Sequence, residues 1–177
     1  YLWGLSALLV TLGSAGCLRD PCDPDPFERD EGDTDGTDLG SLTDSPSTNQ
    51  VFEMTLDRPD DVDQFHFDML DQSGDGTPEI EIWVRPQEDE QLDLEIDYRC
   101  RSGVMSQFEC NGETRPSVKN GNAGMVCRTA ARGELYLDIS NYHCDGNTED
   151  EGYAVVTVTR QNAPAACAAY DIEIDTD

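Results

Sequence analysis

From residue 50 onward, apolar side chains recur at every second position, and that period of two limits the fold more than any other feature. The clearest case is Leu92, Leu94, Ile96 and Tyr98, which alternate with Asp93, Glu95 and Asp97. Successive side chains of a strand point to opposite faces, so this pattern describes a strand with one face buried, whereas a helix would need spacings of three and four. The same reading predicts strands at Val51–Leu56, Gln64–Leu70, Ile80–Arg85, Val104–Cys110, Ala123–Thr129, Glu134–Ser140, Tyr153–Arg160 and Ala169–Ile174. Loops of Gly, Pro, Asn and Asp separate them, and no window has the spacing of a long amphipathic helix. The expectation is an all-β domain over residues 50–177, an antiparallel β-sandwich or jelly roll. After the N-terminal segments are set aside, there is room for one domain of roughly 120–130 residues.

Two segments precede it. The run from Leu2 to Val10 is apolar, and Thr11–Gly16 steps down to small residues before Cys17, as the hydrophobic and cleavage regions of a signal peptide do. The run is shorter than the about 20 apolar residues of a spanning helix. Tyr1 is neither Met nor preceded by a basic region, so a few upstream residues are expected. Residues 1–16 are therefore read as a leader. Residues 17–49 are rich in Asp, Gly, Pro, Ser and Thr with little to bury, and are read as an acidic, self-extending tether.

The chain has seven cysteines. If Cys17 is the processed residue, the remaining Cys22, Cys100, Cys110, Cys127, Cys144 and Cys167 are even in number. In an exported chain that points to three disulfides. Close thiol pairs of the C-x2-C kind, which a zinc site would use, are absent from the domain. Spacing suggests Cys100–Cys110, Cys127–Cys144 and Cys22–Cys167. The 38 acidic residues against 11 basic ones give a net charge of -27. Like charge opposes binding to nucleic acid and anionic lipid, keeps the chain soluble and monomeric, and leaves cations, glycans and proteins as partners.

Ser14-Ala15-Gly16-Cys17 resembles a bacterial lipobox, in which the cysteine is diacylated and becomes the mature N-terminus; Ser14 stands where those motifs usually carry Leu. The resemblance implies membrane anchoring through Cys17. Leu18 in place of an inner-membrane retention Asp implies the outer membrane or cell surface. Asp61-Val62-Asp63-Gln64-Phe65-His66-Phe67 resembles the D-x-D-x-[WFY]-x-F signature of the bacterial pre-peptidase C-terminal domain, a secreted β-sandwich. Gly133–Ile139 and Tyr170–Ile174 resemble two of its later strands.

Asp71, Ser73 and Asp75 followed by Gly76 supply the first half of an EF-hand-type calcium loop. Ile82 fails as the twelfth-position carboxylate, leaving Glu79 to substitute, and a hairpin connection with ordinary turn chemistry explains Ser-Gly-Asp-Gly equally well. Asp61 and Asp63, with Asp57 and Asp60 nearby, form a second calcium candidate or else accept hydrogen bonds from loop amides. Calcium is thus the one cofactor in view. For catalysis there is no G-x-S-x-G, H-E-x-x-H or phosphate-cradling loop, and His143 beside Cys144 is a poor pair if Cys144 is oxidised. Trp83 lies opposite Ile82 and Val84 in the alternation and, with Tyr98, Tyr142 and Tyr153, suggests an aromatic platform for sugars. The expected function is that of a non-catalytic surface lipoprotein whose sandwich binds or presents an extracellular glycan or protein. The alternatives are a calcium-stabilised adhesive module and, third, the accessory domain of a secreted hydrolase.

Overall fold

The computed structural model describes residues 25, 36–44, 46–58, 60–71, 78–119, 121–145, 150–161 and 167–177. These form eleven strands. They are β1 (Thr37–Thr43), β2 (Thr48–Leu56), β3 (Val62–Leu70), β4 (Ile80–Pro86), β5 (Gln91–Cys100), β6 (Val104–Cys110), β7 (Glu113–Lys119), β8 (Asn122–Arg132), β9 (Leu135–Asp145), β10 (Gly152–Arg160) and β11 (Ala168–Thr176). Two sheets pack as a sandwich. The first has six strands in the order β1-β3-β10-β5-β8-β7, and the second has five in the order β2-β11-β4-β9-β6. All pairings are antiparallel except β1 with β3, which is parallel. Only β7 and β8 are both consecutive and paired, so the chain otherwise changes sheet at every connection.

The period of two is realised as expected. Phe65, Phe67 and Met69 of β3, Ile80, Ile82 and Val84 of β4, and Leu92, Leu94 and Ile96 of β5 are fully buried between the sheets. Ile172 and Ile174 of β11 join them. At about 25 cal/mol per Å² of apolar surface removed from water, this layer is the main favourable contribution to the fold. Tyr98, grouped above with surface aromatics, has the parity of Leu94 and Ile96 and is buried with them, its ring 4.4 Å from that of the equally buried Tyr142. A Cβ at residue 152 would fall 2.0 Å from the Tyr98 ring, so Gly152 is what lets β10 pass beside it. The Tyr98 hydroxyl then donates to the Asp150 carbonyl at 3.0 Å.

Two strands lie where the sequence shows no alternation. The tether expected over residues 17–49 ends in β1, which adds to the free edge of β3 and buries Leu42 completely. Its register shifts between Asp38 and Ser41 around Gly40, whose φ is 80° and whose amide donates to Asp38 Oδ1 at 2.7 Å. That bulge puts Leu39 and Leu42 three residues apart, which hides the strand from a period-two search. Farther upstream, the buried Asp25 carboxylate accepts a 2.5 Å hydrogen bond from the Thr55 amide of β2. The second unexpected strand, β7, contains Pro116 and is mostly exposed. An edge strand tolerates the missing N–H because its outer side has no neighbour to bond.

The disulfide pairing differs from that suggested by spacing. Cys100 of β5 bonds Cys144 of β9, and Cys110 of β6 bonds Cys127 of β8, with Cα separations of 5.6 and 6.0 Å. Both bridges join one sheet to the other. Cys144 lies opposite Met105, five residues along β6 from Cys110, and Cys127 lies opposite Ile96, four residues along β5 from Cys100. At about 3.3 Å per residue, Cys100–Cys110 and Cys127–Cys144 bridges would have to slide each sheet by more than 10 Å. Cys167 is also disulfide-bonded; Cys22, its expected partner, and Cys17 lie outside the described residues.

Peptide mapping without reduction should therefore recover Cys100–Cys144 and Cys110–Cys127 peptides. Replacing the first pair by Ala should cost about 4 kcal/mol of unfolding free energy and the second about 3 kcal/mol, because the first closes the longer loop of 44 residues against 17. Urea denaturation of the two double variants checks the order.

Candidate functional site

The carboxylates singled out for calcium serve three different ends. Asp61 accepts hydrogen bonds from two amides, Asp57 N at 2.7 Å and Val62 N at 2.9 Å, and holds the turn into β3. Asp63 is buried and its Oδ2 accepts from the Tyr170 hydroxyl at 2.5 Å. Asp71 sits at the end of β3, where its Oδ2 accepts from the Asp150 amide at 2.6 Å. Asp150 in turn accepts from the Cys144 amide at 2.7 Å and lies 3.0 Å from His143 Nδ1. Glu79, just before β4, pairs its backbone with Asp177. Ser73 and Asp75 lie outside the described residues. The connection from β3 to β4 crosses between sheets, so it is not the hairpin that turn chemistry suggested. Among the described residues, no three His, Cys, Asp or Glu side chains stand where they would hold a metal ion.

Burial is the main cause that raises the Asp71 carboxyl above its ordinary value of 3.8, and the nearby Asp44 and Asp150 charges push the same way against the Asp150 amide. The folded chain therefore holds this proton more tightly than the unfolded chain. Stability falls as pH rises from the ordinary carboxylate range through the raised value, and the deficit persists at neutral pH. Asp71→Asn keeps an acceptor for the Asp150 amide and removes the charge. Its melting temperature at pH 7 should exceed that of the wild type, and the difference should vanish near pH 3.

The catalytic question is narrowed by geometry. Cys144 is bonded to Cys100 and so is no thiol. His143 is exposed, and its pKa is raised by the Asp150 hydrogen bond. His66 lies on the outer face of β3, 3.5 Å from Asp38 and with its ring 5.2 Å from that of Tyr153. A groove of about 460 Å³ lies where β6 hands over to β7, lined by Asn111, Gly112, Glu113, Arg128, Thr129, Ala130 and Gln161. Its carboxylate and guanidinium are of opposite sign, and Arg128 is engaged by Asp93.

The outer faces of the two sheets contrast in charge. On the six-stranded sheet, β5 presents Asp93, Glu95 and Asp97, and each meets an arginine. Arg128 grips Asp93 with bonds of 2.7 and 2.5 Å, Arg115 grips Glu95 at 2.8 and 2.9 Å, and Arg99 bonds Asp97. Burial opposes ionisation of Asp93, but the hydrogen bonds from Arg128 and Gln161 outweigh it and lower the pKa. This face is electrically paired.

The five-stranded sheet is not. Its register sets Val51, Glu173, Trp83 and Tyr136 side by side across β2, β11, β4 and β9. Trp83 and Tyr136 stack with centroids 5.0 Å apart and planes 26° from parallel, and the Arg85 guanidinium lies 5.9 Å from the Trp83 ring centroid. One row away stand Asn49, Asp175, Glu81 and Asp138, and on the other side Glu53, Asp171 and Arg85. Arg85 bonds Glu173 at 2.5 Å and Glu134 at 3.1 Å. Hydrogen bonds from Asn49 and Arg85 lower the Glu173 pKa. The Tyr136 hydroxyl donates to Glu81, and burial together with the surrounding carboxylates raises its pKa. Among the described residues, Glu53, Glu81, Asp138, Asp171 and Asp175 meet no cation. Strand parity had placed Trp83 on this face. Tyr136 was legible by the same parity, between Leu135 and Leu137, but its pairing with Trp83 depends on strand order.

No protein-family model matches the sequence, and no curated protein matches it. Among solved structures, the chain is similar to CorA, described as a surface-associated copper-binding protein important in copper acquisition by Methylomicrobium album BG8. The two share 9% identity over 80% of this chain and 98% of that one, with a TM-score of 0.37. A likeness of that size carries no argument about ligand or activity.

Proposed function

We propose that the chain is a non-catalytic cell-surface lipoprotein, anchored through a diacylated Cys17, whose sandwich binds an extracellular ligand on the outer face of its five-stranded sheet. The observation that carries the reading is the Trp83–Tyr136 stack in the middle of that face. Both rings point away from the core, where Ile82, Val84, Leu135 and Leu137 already fill the space. Flat aromatic surface flanked by fixed hydrogen-bonding groups suits either a sugar ring or a protein side chain. The inter-sheet disulfides support an oxidising compartment, and export supplies one. The leader, the lipobox-like segment and the resemblance to a secreted β-sandwich support the same location.

A screen of immobilised glycans and extracellular proteins, followed by Trp83→Ala, tests the binding face. The variant should melt close to the wild type and bind the recovered ligand about tenfold or more weakly, as expected for loss of a large aromatic contact. Unchanged affinity would remove the face from the proposal. Intact-mass analysis of the mature protein should find Cys17 at the N-terminus carrying two acyl chains, since one chain anchors only marginally. An unmodified N-terminus would leave export without anchoring.

A further inference from the structure

The ligand face is both aromatic and uncompensated in charge, and those two properties together select a class of partner. We infer that the outer face of the five-stranded sheet docks a lysine- or arginine-rich segment of another protein, with Trp83 and Tyr136 receiving its cations or their aliphatic stems. The inference rests on the preceding reading of that face as the binding surface and adds the chemistry of its occupant.

Charge complementarity is the first argument. The opposite face of the same domain answers each β5 carboxylate with an arginine, so pairing is available to this sequence. Across β11, β4 and β9, by contrast, Asp175, Glu81 and Asp138 occupy directly opposed positions without a cation among the described residues. Like charges placed opposite one another on neighbouring strands destabilise a sheet. A basic segment laid across the strands would relieve that repulsion, and it would bring the cations that the face lacks. Burial raises the Glu79 pKa, and the Asp138, Glu81 and Asp177 charges push it the same way.

The aromatic pair is the second argument. Arg85 already lies over the Trp83 ring, so the ring face accepts a guanidinium within this structure. Tyr136 is partly exposed beside it, and Val51, 60% exposed at the end of the same row, offers apolar surface for a lysine or arginine stem. A neutral glycan could use the rings and hydrogen-bond to single carboxylates, but only a cationic segment offsets the charge of the rows.

The test uses the whole chain and a hexa-arginine peptide as the probe, with a hexa-aspartate peptide and a panel of neutral oligosaccharides beside it, by isothermal titration calorimetry. Two triple variants are compared, Glu53→Gln/Asp171→Asn/Asp175→Asn on the face and Asp38→Asn/Asp60→Asn/Glu113→Gln away from it. Hexa-arginine should bind the wild type, and binding should weaken steeply with salt. The face variant should lose about tenfold in affinity and the remote variant less than about twofold, because local charge pairs and not net charge set the contact. The face variant should also melt higher than the wild type, since it relieves like-charge repulsion. Equal losses in both variants would reduce the effect to the attraction of a -27 chain for any polycation and overturn the inference. Binding of an oligosaccharide but not hexa-arginine, lost in Trp83→Ala, would also overturn it and leave the binding-face reading standing. Binding of neither probe would sink the inference alone, because the screen and Trp83→Ala test the broader reading.

Discussion

A chain that changes sheet at almost every connection cannot fold piece by piece. Each strand from β1 to β6 is followed by one in the opposite sheet, so neighbouring strands in sequence meet across the core and not along a ladder. The apolar face of β5 is covered only when β6 and β9 arrive from the other layer, and β10 reaches its place between β3 and β5 only after most of the chain is present. Such non-local closure is entropically expensive before it is rewarded. The two inter-sheet disulfides act on that difficulty. Cys100–Cys144 and Cys110–Cys127 both cross the core near the β6 edge, where β6 is bulged and its inward residues are only half buried. Covalent closure stabilises the sandwich where the apolar layer is thinnest.

Core parity also governs which surfaces are free for function. Because the inward positions are taken by apolar or aromatic residues, with Asp63 and Thr176 as buried polar exceptions, the outward positions are released from packing and record other demands. On the six-stranded sheet those demands are met internally, by an arginine for each β5 carboxylate. On the five-stranded sheet they are not. The contrast survives any argument from bulk composition, since both faces belong to one strongly acidic domain and differ only in how its few cations are placed.

The sequence carried the architecture well and the site partially, for identifiable reasons. Nine of the strands followed from alternation, which is a local property. β1 was hidden by the Gly40 bulge and by its place in an acidic, low-complexity stretch, and β7 by Pro116. Trp83 was placed outward by parity, while Tyr98 obeyed the same parity inward, next to Leu94 and Ile96. Disulfide connectivity was not legible because it depends on where along two strands each cysteine stops, which is set by inter-sheet register. The partnership of Trp83 with Tyr136, and the carboxylate rows around them, required the order β2-β11-β4-β9. Nothing local specifies an order that joins residues from both ends of the domain.

That same order explains why repulsion on the five-stranded sheet is tolerated. β11 contributes Asp171, Glu173 and Asp175 to the outer face and Tyr170, Ile172 and Ile174 to the core, all by strict alternation. The buried half of the strand holds it between β2 and β4 at both edges, with nine paired positions on one side and seven on the other. Exposed like charges cost tenths of a kcal/mol to about 1 kcal/mol per pair, whereas each buried Ile contributes about 2 kcal/mol. The core therefore outweighs the surface, and the fold can keep a charged face that stability alone would have neutralised. A face kept against its own repulsion, with two stacked rings at its centre, is better explained by what it meets than by what it holds up.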